Sequence, residues 1–239
     1  MIYQVLFIKL NNCGGVICII KAVIFDLDGT LLNRDASLKL FVEGQYERLY
    51  QSLNHIPRDK YIERFIEFDD RGYVWKDTVY QQIVAEFDII HVTWEELLQD
   101  YITEFKDACV PFPNLNYMLE GLRNNNLVLG MITNGRGQFQ MNNIKALGIE
   151  DYFETILISE WVGMKKPEPI IFQQALKELD VLPSESIFVG DHPLNDIIAA
   201  KMVGMKTVWK KDNQWKNVKA DYTIEDLQEI SLIIGELNK

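Results

Sequence analysis

The feature that most constrains the fold is a rhythm: short continuous apolar runs alternate with stretches whose apolar residues recur at helical spacing. The runs are AVIFD (22–26), LVLGMIT (127–133), TILIS (155–159), SIFVG (186–190) and KTVW (206–209). A strand that is apolar all along its length must be covered on both faces, the pattern of a parallel sheet flanked by helices. Between the runs, Phe139, Met141, Ile144 and Leu147 follow a helical pattern closed by Gly148. Ile171, Phe172, Ala175, Leu176 and Leu179 form a second set, in a helix predicted to begin at Pro167. A third set is Ile197, Ile198, Ala200 and Met202, closed by Gly204. The C-terminal ADYTIEDLQEI reads as a short strand, then a helix capped by Thr223. The fold class is α/β, with a parallel sheet and helices on both faces.

One segment breaks the rhythm. Residues 33–112 contain no clear strand, and Leu38, Phe41, Val42, Tyr46, Leu49 and Leu53 keep the helical period. TWEE (93–96) is a capping box ahead of Leu97, Leu98, Tyr101, Ile102 and Phe105, and PFP (111–113) stops the helical region. The predicted division is a core of residues 21–32 and 113–239, an all-helical insertion at 33–112, and an N-terminal extension at 1–20 without an assigned role. That extension is apolar but broken by Lys9, Asn11 and Asn12. It falls short of the ~18–20 uninterrupted residues of a membrane span, and it lacks the marks of a signal peptide.

In an open parallel sheet, ligands bind beyond the carboxyl ends of the strands, and that is where the polar residues collect. The first run ends in DLDGT. On an extended chain Asp26 and Asp28 face one space, and Gly29 allows a tight turn close to a ligand. The second run ends in TNG, with the Thr133 hydroxyl. The third is followed by GMKKPEP with Lys165 and Lys166, and the fourth by GDHPLND with Asp191 and Asp196. Clustered carboxylates repel unless a cation lies among them, and hard oxygen donors suit Mg²⁺. A lysine and a hydroxyl beside such a site suit a phosphoryl group, and an aspartate can be its nucleophile.

These motifs, in this order, resemble those of the haloacid dehalogenase-like hydrolase superfamily over residues 22 to about 228. The resemblance implies a Rossmann-like core with an inserted helical cap, and a phosphatase acting on a small phosphorylated metabolite. It makes Asp26 the nucleophile and Asp28 the general acid and base. Mg²⁺ would be held by the Asp26 and Asp191 side chains and the Asp28 backbone carbonyl, with Asp196 in support. Thr133 and Lys166 would hold the phosphate, helped by backbone N–H groups near Gly29 and Asn134; Lys166 is chosen over Lys165 because it stands directly before Pro-Glu-Pro. The five-residue step from Asp191 to Asp196 is similar to that of the nucleotidase and acylneuraminate-phosphatase branches. A phosphomutase or phosphotransferase on a sugar phosphate is the alternative. A 2-haloacid dehalogenase is a more distant one, since it has no use for Asp28.

In the insertion, FDDRGYVWKD (68–77) stands out. Arg71, Tyr73, Trp75 and Lys76 either meet the leaving group, with Arg or Lys gripping a second anionic group, or belong to a turn whose aromatics pack inward. His192 reads as an ordinary loop histidine, and Trp94, Trp209 and Trp215 as structural residues. The net charge of −11 argues against a nucleic-acid partner. Cys13, Cys18 and Cys109 are an odd number in a long chain, which indicates no disulfide framework, no metal pair and a reduced, cytoplasmic setting. Oligomeric state is not legible.

Overall fold

A computed structural model describes residues 19–239. The readings on Cys13, Cys18 and nearly all of the 1–20 extension lie outside the described residues. The chain runs β1 (Ala22–Phe25), then five helices, α1 (Arg34–Arg48), α2 (Tyr50–Leu53), α3 (Arg58–Asp69), α4 (Lys76–Glu86) and α5 (Trp94–Glu104). After these come α6 (Leu115–Asn124), β2 (Val128–Thr133), α7 (Gly137–Ala146), β3 (Thr155–Ile158), α8 (Ser159–Val162) and α9 (Pro169–Glu178). The chain closes with β4 (Ser186–Gly190), α10 (Ala199–Val203), β5 (Lys206–Lys210), β6 (Tyr222–Ile224) and α11 (Glu229–Leu237).

The six strands form one parallel sheet in the order β3-β2-β1-β4-β5-β6, a Rossmann-like α/β arrangement. β1 is central and wholly buried, and its side chains alternate between two apolar layers. Val23 and Phe25 pack with Met118 and Leu119 of α6, Ile144 of α7 and Ile230 and Ile234 of α11. Ala22 and Ile24 pack with Phe172 and Ala175 of α9 and Ala200 of α10. This two-sided cover is why the strands read as continuous apolar runs.

Three local expectations differ. The helix after GMKKPEP begins at Pro169, not Pro167, with the second proline in its first turn. Thr223 does not cap the last helix. It pairs with Trp209 inside β6, and Asp226 Oδ1 instead accepts from the Gln228 N–H ahead of α11. Around α10 the buried residues are Ile197, Ala199 and Ala200, while Ile198 and Met202 are exposed.

Residues 34–108 contribute helices and no strand, and the TWEE capping box forms with both of its hydrogen bonds. The chain enters and leaves this segment side by side. Asn33 N donates to Val110 O at 2.8 Å, Phe112 N donates to Leu31 O at 2.9 Å, and Leu32 bridges Pro111. Among the described residues no helix is long and apolar enough to cross a membrane.

Candidate active site

The ends of β1, β2 and β4 converge because these strands are adjacent and in register, with Phe25 opposite both Met131 and Val189. Asp26 continues the pairing, its N–H donating to Val189 O at 2.9 Å. The chain then turns sharply, with Thr30, Leu31 and Leu32 all donating to Leu27 O. Gly29 sits at φ +79°, and a Cβ there would run into the Asp191 carboxylate. Glycine is therefore required twice over, by conformation and by approach.

Asp26, Asp191 and Asp196 each bring a carboxylate oxygen within 4.8 Å of the others. Lys166 is buried among them. Its Nζ donates to Asp26 Oδ1 at 2.5 Å and to Asp196 Oδ1 at 2.7 Å. Burial pulls its ammonium down, but the Asp196 and Asp26 charges outweigh that and hold its pKa above the usual range. One lysine does not balance three carboxylates. Burial pushes Asp26 up to about 7 despite the opposing pull of Lys166. Asp191 lies well above the carboxylate range, through burial and the Asp196 and Asp26 charges. This set of hard oxygen donors, short of positive charge, fits a divalent cation such as Mg²⁺.

The five-residue step to Asp196 has a structural form. Pro193–Ile198 is a turn of π-helix, in which Ile197 N donates to His192 O at 3.3 Å. Such a turn accommodates an inserted residue and is common at functional sites. It lays Asp196 against Gly190, where a Cβ would stand 2.5 Å from the aspartate's Cβ. Asp196 Oδ2 accepts from His192 N at 2.8 Å.

Asp28 stands outside the carboxylate cluster. Its Oδ2 accepts from Gln140 Nε2 at 2.6 Å, and the same amide donates to Thr133 Oγ1 at 2.8 Å. Asn134 lines the cavity, and its side chain is committed to the backbone beside it. Its amide closes a two-way clamp on the backbone of Lys166, accepting from Lys166 N and donating to Lys166 O, both at 2.9 Å.

A cavity of ≈ 520 Å³ lies over these groups, lined by Asp26, Asp28, Thr133, Lys166, Asp191 and Asp196. Of the four residues singled out in the insertion, Arg71 and Tyr73 line it, while Trp75 and Lys76 line an adjoining chamber, as does Tyr73. Arg71 pairs with Asp212 and lies 3.6 Å from Asp35. Lys76, half-buried, pairs with Asp69, and Trp75 is exposed with the Arg136 guanidinium 6.0 Å from its ring. Tyr73 OH lies 3.3 Å from His192 Nε2. His192 Nδ1 accepts from Leu194 N and Asn195 N, each at 3.1 Å, which fixes the proton on Nε2. Burial holds this imidazole below its usual range.

Trp215, with Lys211–Gln214, lines the cavity, 5.1 Å from the His192 ring. Trp209 is buried, and its N–H donates to Asp191 O at 2.8 Å. The sequence reading also passed over Gln140 and Arg34. Each left a trace: a polar residue on the packed side of α7, and a cation in the first turn of α1, where the helix dipole disfavours it.

Fold and site define an α/β protein with a carboxylate-rich cleft at the switch point of a parallel sheet. A family profile for haloacid dehalogenase-like hydrolases matches residues 23–210, and the chain belongs to that family. It is similar to the glyceraldehyde 3-phosphate phosphatase of Pyrococcus furiosus, at 30% identity over 92% of this chain and 95% of that protein. It is also similar to the pyrophosphatase PpaX of Oceanobacillus iheyensis, at 27% identity over 91% and 98%. The structure matches a HAD phosphatase from Thermococcus onnurineus at 32% identity and a TM-score of 0.65, covering 90% of this chain and 98% of that one. Within its family the chain is a phosphatase.

Proposed function

We propose that the protein hydrolyses a small phosphate monoester in two steps through Asp26, with Mg²⁺ bound. The observation that carries this reading is the placement of a buried Asp26 between Lys166 and two further carboxylates, beside an Asp28 held by Gln140. Lys166, the Thr133 hydroxyl and backbone N–H groups near Gly29 and Asn134 hold the phosphoryl oxygens. Asp26 Oδ1 faces Lys166, and Oδ2 accepts no hydrogen bond among the described residues.

In the first step an Asp26 oxygen bonds to phosphorus as the ester bond breaks, and Asp28 gives its proton to the leaving oxygen. In the second, Asp28 takes a proton from water. The water oxygen bonds to phosphorus, and the bond to Asp26 breaks. Mg²⁺, held by Asp26, Asp191 and Asp196 with the Asp28 carbonyl, would neutralise phosphoryl charge. Lys166 orients Asp26 and balances part of the buried negative charge. The 33–112 segment acts as a cap, with Arg71 and Tyr73 over the site and the paired crossings at 31–33 and 110–112 as its hinge. The relatives' three-carbon substrate suggests a metabolite of that size.

The test is phosphate release from p-nitrophenyl phosphate, with Mg²⁺ and with chelator, for wild type and Asp26→Asn. Release that needs Mg²⁺ and disappears in the variant is expected. Release that survives in Asp26→Asn would sink the reading.

A further inference from the structure

A second chamber of ≈ 370 Å³ opens beside Asp28 and shares Asp28, Arg34, Gly72, Tyr73 and Asn134 with the larger cavity. Given the phosphatase reading above, on which this inference rests, Asp28 protonates the leaving oxygen, so the alcohol portion of the ester lies on this side. One wall is aromatic, where Tyr101 stacks on Phe139 with centroids 5.1 Å apart. Arg34 and Lys76 make a charged wall.

Both cations are tied to one carboxylate. Arg34 Nη2 donates to Asp69 Oδ2 at 2.8 Å and Oδ1 at 3.1 Å, and Lys76 Nζ also donates to Oδ1. Asp69 is fully buried. Among the described residues no other carboxylate lies within ion-pair distance of either cation, so the two share Asp69, and the further negative charge that bears on both is Asp28 across the same chamber. Burial pulls the Lys76 ammonium below its usual range. Arg34 Nη1 is shut off from solvent and has no hydrogen-bond partner.

Other features show that the arrangement is built. Arg34 opens α1, against the helix dipole. Gly72, at φ +90°, covers the guanidinium so closely that a Cβ would stand 2.8 Å from Nη2. It follows Asp70 and Arg71, both also at positive φ, in a strained turn. Two largely enclosed cations that share one carboxylate are unfavourable unless a further anion meets them.

We propose that Arg34 and Lys76 bind a second anionic group on the leaving portion of the substrate. The enzyme then acts on a small phosphate monoester that also carries a carboxylate or a second phosphate. Asp69 positions the two cations and Gly72 makes room for the guanidinium.

The test compares kcat/KM for matched esters on the full-length protein. 3-Phosphoglycerate is set against glyceraldehyde 3-phosphate, which differs by an aldehyde in place of the carboxylate. 1,3-Propanediol bisphosphate is set against 3-hydroxypropyl phosphate, and the pair with the larger ratio identifies the anion. At least one ratio is expected to favour the anionic ester by about 10- to 100-fold, the range for a lost charged hydrogen bond. Arg34→Gln and, separately, Lys76→Met leave Asp69 paired with the remaining cation, so the fold is retained. Each is expected to narrow that ratio to about 3-fold or less, through KM for the anionic ester, with Arg34→Lys retaining part of it. A wild type without preference, or a preference that survives in both variants, would overturn this inference and leave the phosphatase reading standing. No hydrolysis of any of the four esters by protein that hydrolyses p-nitrophenyl phosphate would overturn this inference alone, and no hydrolysis of p-nitrophenyl phosphate either would overturn both.

Discussion

Asn134 commits both ends of its amide to the backbone of Lys166, at 2.9 Å each way, and so decides where the buried ammonium stands. Lys166 lies in the loop between α8 and α9, where no helix or strand ladder holds it. Asn134→Ala is therefore expected to lower kcat/KM by roughly 10- to 100-fold, since small displacements of a positioned group cost that much. Its circular dichroism should match the wild type; an Asn134→Ala enzyme with unchanged kinetics would remove the clamp from the account. The side chains converging from DLDGT, TNG, KKPEP and GDHPLND were legible because carboxylates at the ends of apolar strands have no other chemical excuse. The direction of the Asn134 amide was not, because its partner stands 32 residues away. Nor was the split within FDDRGYVWKD, where Arg71 and Tyr73 face the larger cavity and Lys76 turns back onto Asp69. That split follows from three successive positive-φ residues, a conformation whose signal in sequence is a single glycine.

At the scale of elements, the helical segment is organised around one buried amide. Gln45 in α1 donates to Leu97 O at 3.0 Å and Asp100 Oδ2 at 2.9 Å, and accepts from Tyr61 OH at 2.9 Å and Tyr80 OH at 3.0 Å. It thereby ties α1 to α3, α4 and α5. Burial pushes both phenols well above their usual range, so neither escapes its need for an acceptor by ionising. Gln45→Leu would leave two buried phenols without their acceptor, and is expected to destabilise the fold by roughly 2–4 kcal/mol. Urea unfolding would measure this, and a loss within experimental error would show that the hub is dispensable. Periodicity revealed the helices of this segment and the capping box at Thr93, because both are local. It gave no hint of Gln45, a polar residue whose partners come from three other helices. Thr223 was misplaced for the same reason: its strand pairing with Trp209 is a tertiary fact that overrides its preference for a helix cap. At GDHPLND, the extra residue before Asp196 was visible in the spacing, but the π turn that absorbs it was not.

The whole molecule holds its helical segment over the sheet edge by the paired crossings at 31–33 and 110–112, and by Arg71 to Asp212 and Tyr73 to His192 across the cavity. Between them lies a site whose carboxylates outnumber its one buried lysine, in a chain of net charge −11. This imbalance would couple any metal bound there to global stability. The Asp26 carboxyl is raised from 3.8 to about 7 by burial, so without a cation the folded state holds its proton more tightly than the unfolded chain does. That contribution to stability is complete below pH 3.8 and is lost as the pH rises through about 7. Mg²⁺ held by the ionised carboxylates would compete with protons and restore what rising pH removes. At a concentration of about 100 times its dissociation constant it would add about 2.7 kcal/mol. For a chain of this size that is a rise in Tm of roughly 5–10 °C. The expected outcome at one fixed Mg²⁺ concentration is such a rise at pH 8, less than half of it at pH 5.5, and little at either pH in Asp191→Asn. Differential scanning calorimetry with Mg²⁺ and with chelator measures it directly. An equal shift at both pH values, or one that persists in Asp191→Asn, would mean that Mg²⁺ stabilises the protein somewhere other than the carboxylates at the ends of β1 and β4.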